Sequence, residues 1–176
     1  MKKKIMALIM ALSMADAHRA SIRVLARAGC DVHLPEHQQC CGALHVHGGA
    51  RDTARDLARR NIDAFEADTY DAIVINSAGC GSTLKEYGHL LRDDPAYASR
   101  AQALADKCKD ISELLDELEP RAPRHPIPLK IAYHDACHLQ HAQGITAEPR
   151  RVLKTIPDLE LCEIPEAGIC CGSAGI

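Results

Sequence analysis

The chain has 176 residues, 47% apolar and 26% charged, with a formal net charge of -3. That balance excludes a disordered chain, a collagen-like repeat and a strongly basic nucleic-acid binder. With no Trp, one Phe and four Tyr, it also lacks the rings for a base-stacking platform.

Met1 to Ala20 carries three lysines, an apolar run and Ala15-Asp16-Ala17, a pattern that mimics a secretory signal. The rival reading is a buried strand, Ile5 to Met10, feeding a helix from about Ser13. The strand is preferred because cleavage would delete the first element of the fold. The longest apolar stretch, Ile5 to Leu12, is too short to span a bilayer.

The first helix carries Ile22, Val24, Leu25 and Ala28 and stops at Gly29. Asp31 to Leu34 reads as a strand ended by Pro35, followed by a loop with Cys40-Cys41-Gly42. Asp52 to Ala67 is helical by the spacing of Ala54, Leu57, Ala58, Ile62 and Phe65. Ala72 to Ile75 is a buried strand whose loop, Asn76 to Ser82, opens a helix near Thr83. Leu104, Cys108, Ile111, Leu115 and Leu118 then mark one face of a long helix. Glu119 to Pro128 contains four prolines and reads as a linker. Beyond it come a strand (Lys130 to Tyr133), a polar loop (His134 to His141), a helix (Pro149 to Thr155) and a strand (Leu159 to Ile164). Cys170-Cys171-Gly172 follows close to the last residue.

Strands alternating with helices predict an α/β fold of parallel sheets with crossover helices, whose post-strand loops gather at one edge. Both cysteine pairs, Cys40-Cys41 and Cys170-Cys171, sit in such loops with Cys80 and Cys137, so Cys40, Cys41 and Cys80 are expected to converge. The chain also resembles itself. Arg23-Val24-Leu25 precedes Cys40-Cys41-Gly42 at nearly the spacing by which Arg151-Val152-Leu153 precedes Cys170-Cys171-Gly172. Cys137 stands upstream of the second pair where Leu8 stands upstream of the first. Two Rossmann-like repeats are expected: residues 1–119, a proline-rich linker at 120–128, and 129–176. Only four residues follow the second CCG. The second repeat is therefore expected to be truncated, its remainder lost, split off or supplied by a partner.

Nine cysteines, an odd count with two adjacent pairs, point to a reducing compartment and metal or redox chemistry rather than a secreted disulfide scaffold. The blocks QQCCGALHVHGG, NSAGCGSTLKEYGHLL, YHDACHLQHAQGI and CCGSAG resemble the cysteine-rich (CCG) domain family. The likeness is closest to glycolate oxidase iron-sulfur subunits, and more distant to heterodisulfide reductase B subunits and lactate-utilisation iron-sulfur proteins. The resemblance implies an iron-sulfur cluster, 4Fe-4S or non-cubane, with zinc in some members. It also implies a flavin-containing oxidase subunit as partner, oxidising a 2-hydroxy acid, and electron delivery to a membrane acceptor. Location would be cytoplasmic or at the inner face of the membrane, peripherally associated through a complex.

The family pattern is a lead Cys, then CCG, then a CxxC or single Cys, given twice. Cys40, Cys41 and Cys80 match the first set, with Ser77 at the first position of the CxxC and Leu8 near the lead position. Cys137, Cys170 and Cys171 match the second, whose final cysteine has no counterpart. The ferredoxin-like region of glycolate-type members has no counterpart either.

Thiolates hold iron through soft, charge-donating bonds. Gly42 and Gly172 would let the backbone approach a bulky cluster. The helix after Cys80 would stabilise thiolate charge with its N-terminal N–H groups. Three cysteines with one of His45, His47, His134, His138 or His141 would instead make a mixed zinc site, so a zinc scaffold module or an inactive fragment is the alternative reading. His134 and His138 flank Cys137 and are candidates to orient ligands from behind, as is Ser77. Cys108 reads as core packing. Cys30 and Cys162 lack partners at metal spacing, and Lys85-Glu86 reads as a solvated turn. No flavin or nicotinamide fingerprint is present, which places hydroxy-acid chemistry on a partner.

Overall fold

A computed structural model describes residues 2–8, 15–65, 69–118 and 123–169. Cys170, Cys171 and Gly172 lie outside the described residues, as do the end of the expected first strand and the start of its helix.

Four parallel strands form the main sheet in the order β2-β1-β3-β4: β1 (Lys4–Leu8), β2 (Asp31–His33), β3 (Ala72–Ile75) and β4 (Cys108–Asp110). Register runs Ile5 against Val32 and Ala72, and Ile73 against Cys108. Side chains alternate across a strand, so neighbours on β1 and β3 face opposite layers. Ile5, Ala72 and Val74 pack with Leu25 and Leu114 on one side. Met6, Ile73 and Ile75 pack with Ala58, Ile62, Phe65, Leu84, Tyr87 and Leu104 on the other. A parallel sheet covered on both faces accounts for β3, whose four residues are all apolar and all buried.

The helices are α1 (Ala15–Arg27), α2 (Ala43–His47), α3 (Arg51–Phe65), α4 (Ala78–Lys85), α5 (Tyr87–Leu90), α6 (Ala98–Lys107) and α7 (Ile111–Glu117). The long helix expected through Cys108 does not exist: β4 divides it into α6 and α7. Asp110 accepts a hydrogen bond from the Ser112 N–H at 2.8 Å while Glu113 accepts one from the Asp110 N–H at 2.7 Å. This capping box starts a new helix. Leu104 packs on one face of the sheet and Ile111, Leu115 and Leu118 pack on the other, so the apparent stripe is two stripes. Cys108 is buried as expected, but on a strand, and burial pushes its thiol up to about 12.

A second sheet pairs β5 (Lys130–Tyr133) in parallel with β6 (Glu160–Glu163), with α8 (Ala147–Lys154) between them in sequence. The β5-α8-β6 order reproduces β1-α1-β2, and the two Arg-Val-Leu runs fall on α1 and α8. No residue of β5 or β6 is fully buried. The expected polar loop contains a π-helical turn, His138–Ala142, and its Leu139 and the following Ile145 are buried.

Candidate metal centre

Cys40 and Cys41 follow β2, and Cys80 is the third residue of α4, just after β3. In a parallel sheet these positions share the carboxyl edge. Of the three cysteines expected to converge, Cys41 and Cys80 come into sulfur contact, and Cys40 shares their cavity without closing on them. Cys40, Cys41, Ser77 and Cys80 line one cavity of about 570 Å³ with Gln39 and Leu44 on its rim. Cys41 Sγ lies 3.3 Å from Cys80 Sγ and donates its proton toward it. Cys40 is exposed, Cys41 is buried and Cys80 is half-buried.

The hydrogen bond from Cys41 holds the Cys80 thiol below the usual range. Ser77 adds a second hydrogen bond in the same direction, against the effect of burial. Cys41 is pushed up, by that same bond and by burial. The hydrogen bond from Cys41 thus favours negative charge on Cys80, which sits in the first turn of α4 where the helix dipole favours an anion.

The loop is fixed from behind by two residues that the sequence reading passed over, Asn61 of α3 and Tyr87 of α5, both fully buried. The Gln39 N–H donates to Asn61 Oδ1 at 2.7 Å. Asn61 Nδ2 donates to the Cys40 carbonyl and to Tyr87 Oη, each at 3.0 Å. Tyr87 Oη donates to the Cys41 carbonyl at 2.9 Å. Every polar group of the brace is thereby paired.

Gly42 has φ +85, and a Cβ there would meet the Ala54 Cα of α3 at 3.3 Å. Glycine there turns the chain in left-handed geometry and lets the loop lie on α3. Gly42→Ala is expected to cost about 1–2 kcal/mol, read as a lower chemical-denaturation midpoint.

The second-sheet residues reach the same neighbourhood by a different route. Gln143 Nε2 donates to the Ala78 carbonyl of α4 at 2.9 Å. His138 meets His47, at the end of α2, ring edge to face with centroids 5.8 Å apart. Cys137 is half-buried and immediately precedes the π-helical turn. Of the remaining histidines, His134 adjoins Asp135 and His141 Nε2 lies 3.1 Å from the Gly168 carbonyl. Buried His45 Nδ1 has no hydrogen-bond partner among the described residues. Leu8 ends β1 at the same sheet edge as the cavity. Cys30 is buried in the core, and Cys162 lies on β6 with its sulfur 3.8 Å from Glu160 Oε1.

Among the described residues, no three His, Cys, Asp or Glu side chains are grouped tightly enough to hold a metal ion. The donor chemistry nonetheless suits a thiolate-bound group. Cys41 and Cys80 are in sulfur contact, Cys40 opens on the same space, and the cavity exceeds what one ion requires.

The CCG cysteine-rich domain model matches residues 8–85 and 131–176. The probable glycolate oxidase iron-sulfur subunit of Bacillus subtilis is 45% identical over 161 residues, covering 90% of this chain and 36% of the relative. A fumarate reductase (CoM/CoB) subunit of Methanothermobacter marburgensis is 40% identical, covering 92% of this chain and 30% of the relative. Lactate utilization protein A of Bacillus licheniformis is 35% identical, covering 89% and 66% respectively. The chain thus spans about a third of the length of the first two relatives.

Proposed function

The chain belongs to the CCG cysteine-rich domain family, and from that premise we propose that it serves as an iron-sulfur electron-transfer part of a multi-subunit oxidoreductase. The observation that carries this reading is the meeting of Cys41 and Cys80 at 3.3 Å beside Cys40 around one cavity at the carboxyl edge of the sheet. Relatives named as iron-sulfur subunits support it. Cys40, Cys41 and Cys80 would hold the group from the first repeat, and Cys137, Cys170 and Cys171 would add the second set. When bound, an iron-sulfur cluster supplies one-electron transfer.

The chain's own residues prepare the site. Ser77 and the first turn of α4 stabilise thiolate charge on Cys80, and Asn61 with Tyr87 fixes the peptide that presents Cys40 and Cys41. The two-repeat division at 120–128 is supported by the shared strand-helix-strand order of the two sheets. We assign 2-hydroxy-acid oxidation to a flavin-bearing partner, and location to the cytoplasm or the inner face of a membrane reached through that complex. No helix among the described residues is long and apolar enough to cross a bilayer.

Anaerobic reconstitution with iron and sulfide tests the proposal. Broad visible absorbance that bleaches on reduction is expected, with matching iron and sulfide content. Cys41→Ala and Cys80→Ala should each lower iron content by at least about tenfold. A colourless protein, or one that takes up zinc in preference to iron, overturns the proposal and favours a zinc module.

A further inference from the structure

We propose that Cys41 and Cys80 close into a reversible disulfide when a small-molecule disulfide reaches the metal-free cavity, making this pair an oxidation site that withdraws two thiols from metal loading. The consequence for loading rests on the function proposed above; the bond itself does not.

The geometry carries the inference. The two sulfurs are already 3.3 Å apart, and a disulfide requires about 2.05 Å, so they need to approach by roughly 1.2 Å. The two thiols are not equivalent. Both line the cavity, but Cys80 is half-buried and the more open to a small molecule, whereas Cys41 is 3% exposed. Cys80 is therefore the attacking sulfur and Cys41 the resolving one.

The oxidant is a small disulfide, RSSR, such as oxidised glutathione. The Cys80 thiolate attacks one sulfur of RSSR, the S–S bond breaks and RS⁻ leaves. Cys41 then gives its proton to that RS⁻, attacks the Cys80 sulfur and expels the second RS⁻. The pair loses two electrons and RSSR gains them; the products are the protein disulfide, one RSH and one RS⁻.

Cys40 is the competitor, exposed and adjacent in sequence to Cys41. A vicinal Cys40–Cys41 bond would force the intervening peptide into a strained ring. The carbonyls on either side of the Cys41 N–Cα–C unit are held by Asn61 and Tyr87, which opposes that rearrangement. Cys40 is expected to end as a mixed disulfide with glutathione.

The test uses the full chain, stripped of metal by a chelator under anaerobic conditions and treated with oxidised glutathione. Remaining thiols are alkylated and the protein is mapped by peptide mass. A Cys41–Cys80 link is expected, absent in Cys80→Ser and retained in Cys162→Ser. Cys41→Ser should leave glutathione attached to Cys80. A link from Cys40 to either partner, or glutathione on all three sulfurs with no link, overturns the proposal.

Cadmium ion alone then probes loading through its ultraviolet thiolate band. The oxidised chain should take up at least tenfold less than the reduced chain, and equal uptake overturns the gating role. The two ideas fail separately. Iron reconstitution without a Cys41–Cys80 link defeats the disulfide, and a link in a chain that never takes up iron defeats the cluster reading.

Discussion

Replacing Asn61 by leucine is expected to cost about 3 kcal/mol of stability, because an orphaned buried polar group costs about 1–3 kcal/mol. Leucine keeps asparagine's branched outline but leaves the Gln39 N–H and the Cys40 carbonyl without the fully buried partner that fixes this half-buried loop. It also removes a donor to Tyr87 Oη. Tyr87→Phe is a gentler change. It deletes one hydroxyl and leaves the Cys41 carbonyl without that bond, an effect of about 1–2 kcal/mol. Guanidinium denaturation of the two variants should place Asn61→Leu clearly below Tyr87→Phe, and both below the parent. A cost under about 1 kcal/mol for Asn61→Leu would show that the Gln39–Cys41 loop holds its shape without the brace. The functional counterpart is disorder at the sulfurs. Asn61→Leu should lose iron faster than the parent after reconstitution even at temperatures where it remains folded.

Asn61 carried a sequence signal, though a quiet one. The α3 stripe is Ala54, Ala58, Ile62 and Phe65, and Asn61 lies between Ala58 and Phe65 at helical spacing on that same face. A polar side chain on an apolar stripe must be answered by a buried partner. Tyr87, between Leu84 and Leu91, is the same kind of exception. The parallel topology was legible because β3 is a continuous apolar run and the breakers Gly29 and Pro35 bound their elements. Convergence of Cys41 and Cys80 followed from that topology alone. The split of residues 98–118 was hidden because α6 and α7 present apolar residues at spacings that continue through Cys108. Only the Asp110/Glu113 capping pair betrays the break. Gly42 was legible as a special position, and the structure adds two causes, φ +85 and the nearness of α3.

The second sheet should depend on one arginine. Arg150 of α8 donates two 2.7 Å hydrogen bonds to the carboxylate of Asp135, which follows β5 and is 6% exposed. It also pairs with Glu163 of β6 at 2.9 Å and lies 4.9 Å from the Tyr133 ring centroid. One side chain thus ties β5, α8 and β6 where few apolar contacts do so. Removing a partner from a buried pair costs about 3–5 kcal/mol. Arg150→Ala is expected to fall near the lower end, about 3 kcal/mol, because Glu163 is largely exposed and its share is small. The loss should be local: amide exchange should accelerate in β5, α8 and β6 while β1 and β3 keep their protection.

Its pH dependence identifies the cause. Arg150 holds the Asp135 carboxyl below its ordinary value. The stabilisation is therefore complete above the unfolded carboxyl pKa of about 3.9 and is lost as pH falls through the lower folded value. In Arg150→Ala the carboxylate is buried without its cation, so the penalty is full at neutral pH and shrinks in acid as Asp135 takes up a proton. The gap between parent and variant should begin to narrow above the ordinary carboxyl value of about 3.9, because burial raises the unpaired Asp135, and go on closing as pH falls through the parent's lowered value. A gap that stays constant from neutral pH into acid would mean that Arg150 acts by packing on Tyr133 rather than by neutralising Asp135.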